Sequence, residues 1–256
     1  MLAPSEKMLN VTRVCLTIEY DGTAYHGWQM QPNTRGRTIQ AMLEKALETV
    51  LKHPVKLYSS GRTDAGVHAL GMKAHFDTET HLPLSAYRQG VNSWLPQDIS
   101  VVEAVFVPDT FHARFDALKK HYRYSIYTSS MRSPLKRLYA WQVPAQLDVE
   151  AMRAAAVLLE GRHDFAAFRS SSCMAATTER TLESVTINVQ DGFVLIDIFG
   201  DGFLKNMVRI ITGALFAVGM YKITATEIDT MLKTKVRPLS VITAPACGLS
   251  LMQVYY

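Results

Sequence analysis

One short segment combines the residue types that a catalytic carboxylate needs. Asp64 lies between Gly61 and Gly66, with Arg62 two residues before it. Glycine permits tight or positive-φ backbone, so this segment can present a carboxylate outward, and the Arg complements its negative charge. Asp64 is therefore a candidate nucleophile or base. The simpler alternative is an Asx turn, in which Asp64 only caps its own backbone.

Motifs for several other kinds of site are absent from the sequence. It contains no P-loop, HExxH or GxSxG pattern, and its eight histidines lack metal-ligand spacing. The three cysteines form no CxxC pair, which fits a reducing compartment better than a disulfide framework. We therefore expect neither a metal nor a small-molecule cofactor, and a cytoplasmic location.

Positive charge is concentrated in one segment. The chain has 27 Lys and Arg against 23 Asp and Glu, and residues 117–147 contain no acid. The segment's basic residues are Lys119, Lys120, Arg123, Arg132, Lys136 and Arg137, and its aromatic residues are Tyr122, Tyr124, Tyr127, Tyr139 and Trp141. Because basic side chains follow phosphates and aromatic rings stack on bases, the pattern favours RNA binding. A solvated strand with ordinary core tyrosines is the alternative.

A basic residue also interrupts a strongly apolar stretch late in the chain. The spacing predicts a helix from Phe203 to Val218, in which Arg209 lies among Val208, Ile210 and Ile211. A partly buried Arg needs a carboxylate partner. Asp64 is the candidate partner, although it lies far away in the sequence.

Two successive β-α-β-β-α-β patterns would position these residues. The predicted strands are Arg13–Tyr20, Val55–Tyr58, Met72–Phe76, Ile99–Val107, His121–Tyr127, Val185–Val189, Val194–Phe199 and Leu249–Val254. The predicted helices are Thr38–Lys52, Leu84–Trp94, Asp148–Leu159, Phe203–Val218 and Glu227–Lys233. This order predicts an α+β fold of two ferredoxin-like halves, with one extended mixed or antiparallel sheet, helices on one face and a central RNA-binding cleft.

The boundary between the halves is predicted near residues 108–117. Residues 1–110 would form the N-terminal catalytic half with the Asp64 segment, and residues 111–256 the C-terminal half with the basic strand and the Arg209 helix. With 48% hydrophobic and 20% charged residues, the chain is typical of a globular protein. Residues 1–10 show no signal-peptide pattern, and no apolar stretch is long enough to span a membrane.

Taken together, five blocks of this sequence resemble the TruA family of tRNA pseudouridine synthases. The blocks are Glu19-Tyr20-Asp21-Gly22-Thr23-Ala24-Tyr25-His26-Gly27-Trp28-Gln29, Gly61-Arg62-Thr63-Asp64-Ala65-Gly66-Val67-His68, Phe111-His112-Ala113-Arg114-Phe115, Tyr122-Arg123-Tyr124, and Gly202-Phe203-Leu204 with Met207-Val208-Arg209. The resemblance extends over nearly the whole chain. The segment Gln31–Thr38 looks longer than the usual family loop, so local RNA contacts there are expected to differ.

The resemblance implies an isomerase that converts uridine to pseudouridine at positions 38 to 40 of the tRNA anticodon arm, without a cofactor or metal. It implies that Asp64 is the essential aspartate, that Tyr122 stacks on the target uracil, and that Arg62 and Arg209 belong to the active site. It also implies a homodimer that grips tRNA across both subunits. From the basic strand we add Lys119, Lys120 and Arg123 as substrate-binding residues.

Two other classes of function are alternatives to this interpretation. A non-catalytic RNA-binding protein of ferredoxin-like fold would show the same basic and aromatic strand. It would not require the glycine-flanked Asp64 segment. A small-molecule hydrolase that uses Asp64 and a water would not require tRNA for turnover.

Overall fold

The fold is a single ten-stranded sheet in the part of the chain that the structure, a computed structural model, describes: residues 11–29 and 36–256. The strands are β1 (Thr12–Tyr20), β2 (Tyr58–Ser59), β3 (His68–Thr78), β4 (Ile99–Val107), β5 (Lys119–Thr128), β6 (Trp141–Val143), β7 (Gly161–Asp164), β8 (Glu179–Gln190), β9 (Phe193–Gly200) and β10 (Leu249–Tyr255). The helices are α1 (Ile39–Leu51), α2 (Val149–Val157), α3 (Met207–Gly219) and α4 (Ala225–Thr234).

The sheet order explains how distant segments meet. The strands follow the order β4-β1-β3-β10-β5-β9-β8-β7, while β2 pairs with β3 and β6 pairs with β5. Strands β4-β1-β3-β2 and β10-β5-β9-β8 each reproduce the antiparallel ferredoxin-like arrangement. The two sets join where β10 runs parallel to β3, pairing Ser250 with His68 and Leu251 with Ala69. The predicted mixed α+β fold is confirmed.

Local sequence signals account for the well-predicted elements. The Thr38 side chain accepts a hydrogen bond from the Ala41 backbone N–H and so starts α1, and Lys52 in the left-handed conformation ends it. Asp191 and Gly192 both have positive φ, as the two-residue turn between β8 and β9 requires. Along β5, Tyr122, Tyr124 and Ile126 are buried while the alternate residues are partly exposed. One face of β5 therefore belongs to the core.

The predicted helix from Phe203 is wrong at its start. Helix α3 begins at Met207, because Asn206 has a φ of 63° and residues 202–206 form an irregular segment before it. The apolar periodicity correctly identified the buried helix but ran four residues too far towards the N-terminus. Phe203 is consequently free to pack outside the helix.

Other predicted boundaries also shift. The predicted strand Val55–Tyr58 is replaced by β2 at Tyr58–Ser59, and Met72–Phe76 lengthens into β3. The predicted helix Leu84–Trp94 is helical only to residue 92 and contains a π-helical turn at Ala86–Gly90. Strands β6 and β7 were not predicted, since they are too short to show a periodic pattern.

Some expectations concern residues outside those described. The predicted absence of a signal peptide in residues 1–10, and most of the Gln31–Thr38 loop, lie outside the described residues. Within residues 11–29 and 36–256, no helix is long and apolar enough to cross a membrane.

A buried carboxylate ties β5 to β9 on the sheet face opposite the core side of β5. Asp197 is only 6% exposed and accepts hydrogen bonds from the His121 ring and, in bidentate fashion, from Arg123 at 2.9 and 3.1 Å. Burial alone raises the pKa of Asp197, but the bonds from His121 and Arg123 outweigh it, so the pKa lies below its ordinary value. The ionised carboxylate therefore stabilises the pairing of these strands.

We expect Asp197→Asn to lower the free energy of unfolding by roughly 3 kcal/mol at pH 7, the low end for breaking a buried ion pair because Arg123 stays partly exposed. Because folding lowers the pKa of Asp197, this stabilisation is present above the pKa that Asp197 has in the unfolded chain, about 4. It is lost as the pH falls through the lower pKa of Asp197 in the folded protein. Urea unfolding at pH 7 and at steps from pH 4 down to about pH 2.5 checks both points. Asp191→Asn, in an exposed turn, is the matched control, and a difference from wild type that stays constant with pH would contradict the assignment.

Candidate active site

The Asp64 loop lies between β2 and β3 and is held by the first motif block. The Trp28 N–H donates to the Thr63 carbonyl at 3.1 Å, and the Gly66 N–H donates to the Tyr25 carbonyl at 3.3 Å. The hydroxyls of Tyr20 and Thr63 lie 2.8 Å apart in a buried hydrogen bond. These bonds fix the backbone on both sides of Asp64, so the loop is part of the rigid fold.

Two glycines let the two blocks pack backbone to backbone. Gly27 has a φ of 86°, and a Cβ there would lie 2.5 Å from the Thr63 carbonyl oxygen. A Cβ on Gly22 would lie 2.0 Å from the carbonyl oxygen of Val67. Any side chain at these positions would push the Asp64 loop away. The glycines of the block at residues 19–29 are therefore needed to position a carboxylate that is distant in sequence.

Asp64 faces the guanidinium of Arg209. Arg209 Nη1 lies 3.7 Å from Asp64 Oδ2, and the two side chains are 17% and 29% exposed. The Arg209 guanidinium also donates to the Ala244 carbonyl at 2.7 Å and to Asn206 Oδ1 at 3.1 Å. Because these two acceptors hold Arg209 independently, its charge is pre-positioned beside Asp64. The structure thus brings together the two residues that sequence analysis paired.

Tyr122 lies on the same side of the sheet. Its side chain is 8% exposed, and its ring meets the edge of the Phe203 ring at a centroid distance of 5.0 Å. Burial, and to a smaller extent the charge of Asp64, raises the pKa of Tyr122. The phenol therefore stays neutral beside the carboxylate, and its ring is fixed by Phe203 before any substrate binds.

Arg62 and Lys120 flank the loop. Arg62 is exposed at the surface next to Asp64. Lys120 precedes Tyr122 by two residues on the same face of β5, and its Nζ lies 3.4 Å from where a Cβ on Gly61 would stand. Burial, followed by the charges of Arg114 and Arg180, lowers the pKa of Lys120 to about 8. Because its Nζ lies beside Gly61, Lys120 belongs to the site.

Lys119 and Arg123 point to the other face of β5. Lys119 pairs with Glu183 at 2.8 Å, and Arg123 pairs with Asp197. Strand alternation places both opposite Lys120 and Tyr122. The structure does not bring them together with Asp64, so their binding of RNA stays a prediction apart from this site.

Several residues of the site were not found by sequence reasoning. Phe203 was assigned to an apolar helix stripe, whereas its ring packs on Tyr122. Arg180, on β8, lies against Gly202, where a Cβ would stand 3.4 Å from its Cδ and Nε. The block at residues 202–204 contains Phe203 without giving it a role, and nothing local marks Arg180, because their contacts are made across the sheet. Among the described residues, no three His, Cys, Asp or Glu side chains converge as metal ligands.

The family comparisons cover the two segments of this site that carry Asp64 and Arg209. The tRNA pseudouridine synthase family model matches residues 16–116 and 155–256, which include Asp64 and Arg209. This chain belongs to that family. The tRNA pseudouridine synthase A of Geobacter sp. (strain M21) is 54% identical, over 94% of this chain and 97% of that protein. The enzyme of the same name from Syntrophotalea carbinolica is also 54% identical, over 95% and 96% of the two chains.

A solved structure gives a much weaker match. The crystal structure of a Cbf5-Nop10-Gar1 complex aligns with a TM-score of 0.32 and 10% identity, over 80% of this chain and 54% of that one. A likeness at this level adds nothing to the family assignment.

Family membership establishes the class of enzyme. The protein is a tRNA pseudouridine synthase, an isomerase that acts on tRNA. The predicted resemblance to the TruA family is confirmed. The two alternatives, a non-catalytic RNA-binding protein and a small-molecule hydrolase, are wrong.

Proposed function

We propose that the enzyme converts uridine to pseudouridine at positions 38 to 40 of the tRNA anticodon arm, with Asp64 as the catalytic carboxylate. The observation that carries the proposal is the placement of Asp64: partly exposed on a rigid loop, facing Arg209 at 3.7 Å and close to the buried Tyr122. The family assignment supplies the reaction class, and the TruA resemblance supplies the tRNA positions.

The reaction rearranges one nucleotide without a net change in atoms. The bond between N1 and C1′ breaks, the uracil turns, and C5 forms the new bond to C1′, while the C5 hydrogen leaves as a proton and N1 takes one up. A single carboxylate can serve by attack on C1′, by addition to the uracil ring, or by removal of a C2′ proton. Arg209 stabilises the negative charge of Asp64 in each of these routes.

A uridine inside a stem must leave the helix to reach Asp64. Flipping a base costs a few kcal/mol, and stacking on an aromatic ring recovers about 1–3 kcal/mol. Tyr122 is the candidate ring, because its contact with Phe203 already orients it. Arg62, exposed beside the loop, is placed to hold a phosphate or to fill the gap left in the stem.

The TruA resemblance also favours a homodimer that grips one tRNA across both subunits, in the cytoplasm. The Asp64 loop, Tyr122 and Arg209 all come from one chain, so the second subunit would serve mainly in binding. This division of roles is part of the proposal.

The proposal is tested with transcripts of one tRNA that carries [5-³H]uridine. Wild-type enzyme, without an added cofactor, is expected to release tritium from transcripts that retain uridine at position 38, 39 or 40. A transcript with cytidine at all three positions is the control and should release none. Undiminished release from that control would place the reaction elsewhere in tRNA and overturn the position assignment.

A further inference from the structure

Two cations lie at the two glycines that border the Asp64 site. A Cβ on Gly61 would lie 3.4 Å from Lys120 Nζ. A Cβ on Gly202 would lie 3.4 Å from Cδ and Nε of Arg180. Gly61 precedes the Asp64 loop, and Gly202 precedes Phe203, which packs on Tyr122. Lys120 also pairs in the sheet with Gly200, two residues before Gly202. Lys120 therefore lies next to the catalytic loop, and Arg180 lies beside the segment that carries Phe203, near enough for its charge to lower the pKa of Lys120.

Lys120 lacks the counterion that a partly buried ammonium normally has. Among the described residues, no carboxylate lies within 4.0 Å of its Nζ, whereas Lys73, Lys119, Lys233 and Lys235 each have one. The charged groups that face Lys120 are Arg114, Arg180 and Asp201, and of these only Asp201 is negative. Asp201 is exposed and accepts a hydrogen bond from the Thr181 N–H. Even partial burial of a cation without a partner costs free energy, so this arrangement does not serve folding.

Arg180 is held in place by two residues close to it in the sequence, Thr177 and Glu179. Its Nη1 donates to the carbonyls of Thr177 and Glu179 and to the Thr177 hydroxyl. These contacts all use one of the three guanidinium nitrogens, which orients the planar group. A fixed guanidinium near a partly desolvated ammonium is suited to an oxyanion with several acceptor oxygens.

We propose that Lys120 and Arg180 form a subsite for an RNA phosphodiester next to the flipped uridine. The phosphate would supply the negative charge that Lys120 lacks, and it would anchor the strand at the rim of the site while the uracil turns beside Asp64. The inference rests on the proposed role of Asp64. It goes further by assigning a positioning role to Lys120 and to Arg180.

The test compares Lys120→Met, Lys120→Arg and Lys233→Met. We expect Lys120→Met to raise KM for tRNA about tenfold or more, the range for a lost charge-assisted hydrogen bond, with little change in kcat. The slope of log affinity against log salt should become shallower by about 1. Lys120→Arg should retain both values. Lys233→Met removes the same charge from the surface of α4 and should change neither.

A pH series gives a second readout. In the wild type, KM should rise between pH 7 and pH 8.5 as Lys120, with a pKa of about 8, loses its proton. In Lys120→Arg this rise should be absent, because a guanidinium stays charged throughout. Effects of pH on the uracil itself are shared by both enzymes and cancel in the comparison.

The outcomes separate this inference from the proposed function. An unchanged KM and salt slope in Lys120→Met, or a fall in kcat alone, would overturn the phosphate subsite while wild-type turnover stands. Lys120→Met is expected to melt no lower than wild type, since it removes a partly buried charge that has no carboxylate partner among the described residues. If it melts lower, Arg180→Gln provides the same KM and salt-slope comparison, and unchanged values there also overturn the subsite. Wild type that fails to act at positions 38 to 40 would instead reject the proposed function.

Discussion

Asp64→Asn is expected to abolish pseudouridine formation and to leave tRNA binding nearly intact. The amide keeps the size and the hydrogen-bonding capacity of the side chain but cannot act as a nucleophile or base at neutral pH. Loss of a group that acts at the reacting atoms lowers turnover by up to about 10⁴-fold. Tritium release from tRNA with [5-³H]uridine measures the chemistry directly, and filter binding measures affinity.

The fold should survive this change. Asp64 is 29% exposed, and Arg209 keeps two other acceptors, the Ala244 carbonyl and Asn206 Oδ1. The thermal midpoint of Asp64→Asn is therefore expected to stay close to that of wild type and of Asp191→Asn, the control for an exposed Asp. A variant that still turns over at a tenth of the wild-type rate would exclude Asp64 as the catalytic carboxylate. Parallel loss of binding and folding would assign it a structural role.

Sequence reasoning succeeded where the signal is local. The start of α1 at Thr38 and the turn between the predicted strands at 185–189 and 194–199 each depend on neighbouring residues, and each lies where the sequence predicts it. The glycine-flanked loop was also visible locally. Its rigidity was not, because that depends on contacts of Gly22 and Gly27 with a segment about forty residues later.

The sequence did not show which face of β5 points towards Asp64. In the sequence the basic residues form one positive stretch, but the alternation of side chains along β5 places them on two opposite faces of the sheet. Lys120 lies beside Asp64, whereas Lys119 and Arg123 pair with carboxylates on the other face. Those carboxylates, Glu183 and Asp197, belong to β8 and β9. Only the sheet order shows that they neutralise the segment, so net charge along the sequence overstates the basic surface that remains for RNA.

The same limit applies to Arg180 and Phe203. Each contributes to the site through a contact across the sheet or across an irregular segment. A periodic pattern assigned Phe203 to a helix because periodicity cannot detect the left-handed backbone at Asn206. Because of that backbone conformation, Phe203 lies outside the helix and packs on Tyr122. Helix α3 then begins at Met207, and its Arg209 faces Asp64.

Replacing Tyr122 is expected to have the second large effect on kcat/KM. We expect this effect to depend on the ring of Tyr122 and not on its hydroxyl. We expect Tyr122→Leu to lower kcat/KM by about 5- to 160-fold, because base stacking on an aromatic ring is worth about 1–3 kcal/mol. Tyr122→Phe should remain within a few-fold of wild type, since it keeps the ring that packs on Phe203. Single-turnover rates and tRNA affinity for both variants check this difference.

The choice of Leu separates stacking from packing. Tyr122→Ala is expected to be at least as damaging as Tyr122→Leu, but it would also open a cavity beside Phe203, and large-to-small changes of an aromatic residue cost about 3–5 kcal/mol of stability. Leu fills most of that volume and removes only the aromatic face. Equal losses in Tyr122→Phe and Tyr122→Leu would instead assign the effect to the hydroxyl. Burial and the nearby Asp64 raise the pKa of Tyr122, so that hydroxyl would act as a neutral hydrogen-bond donor, and its loss would not depend on pH.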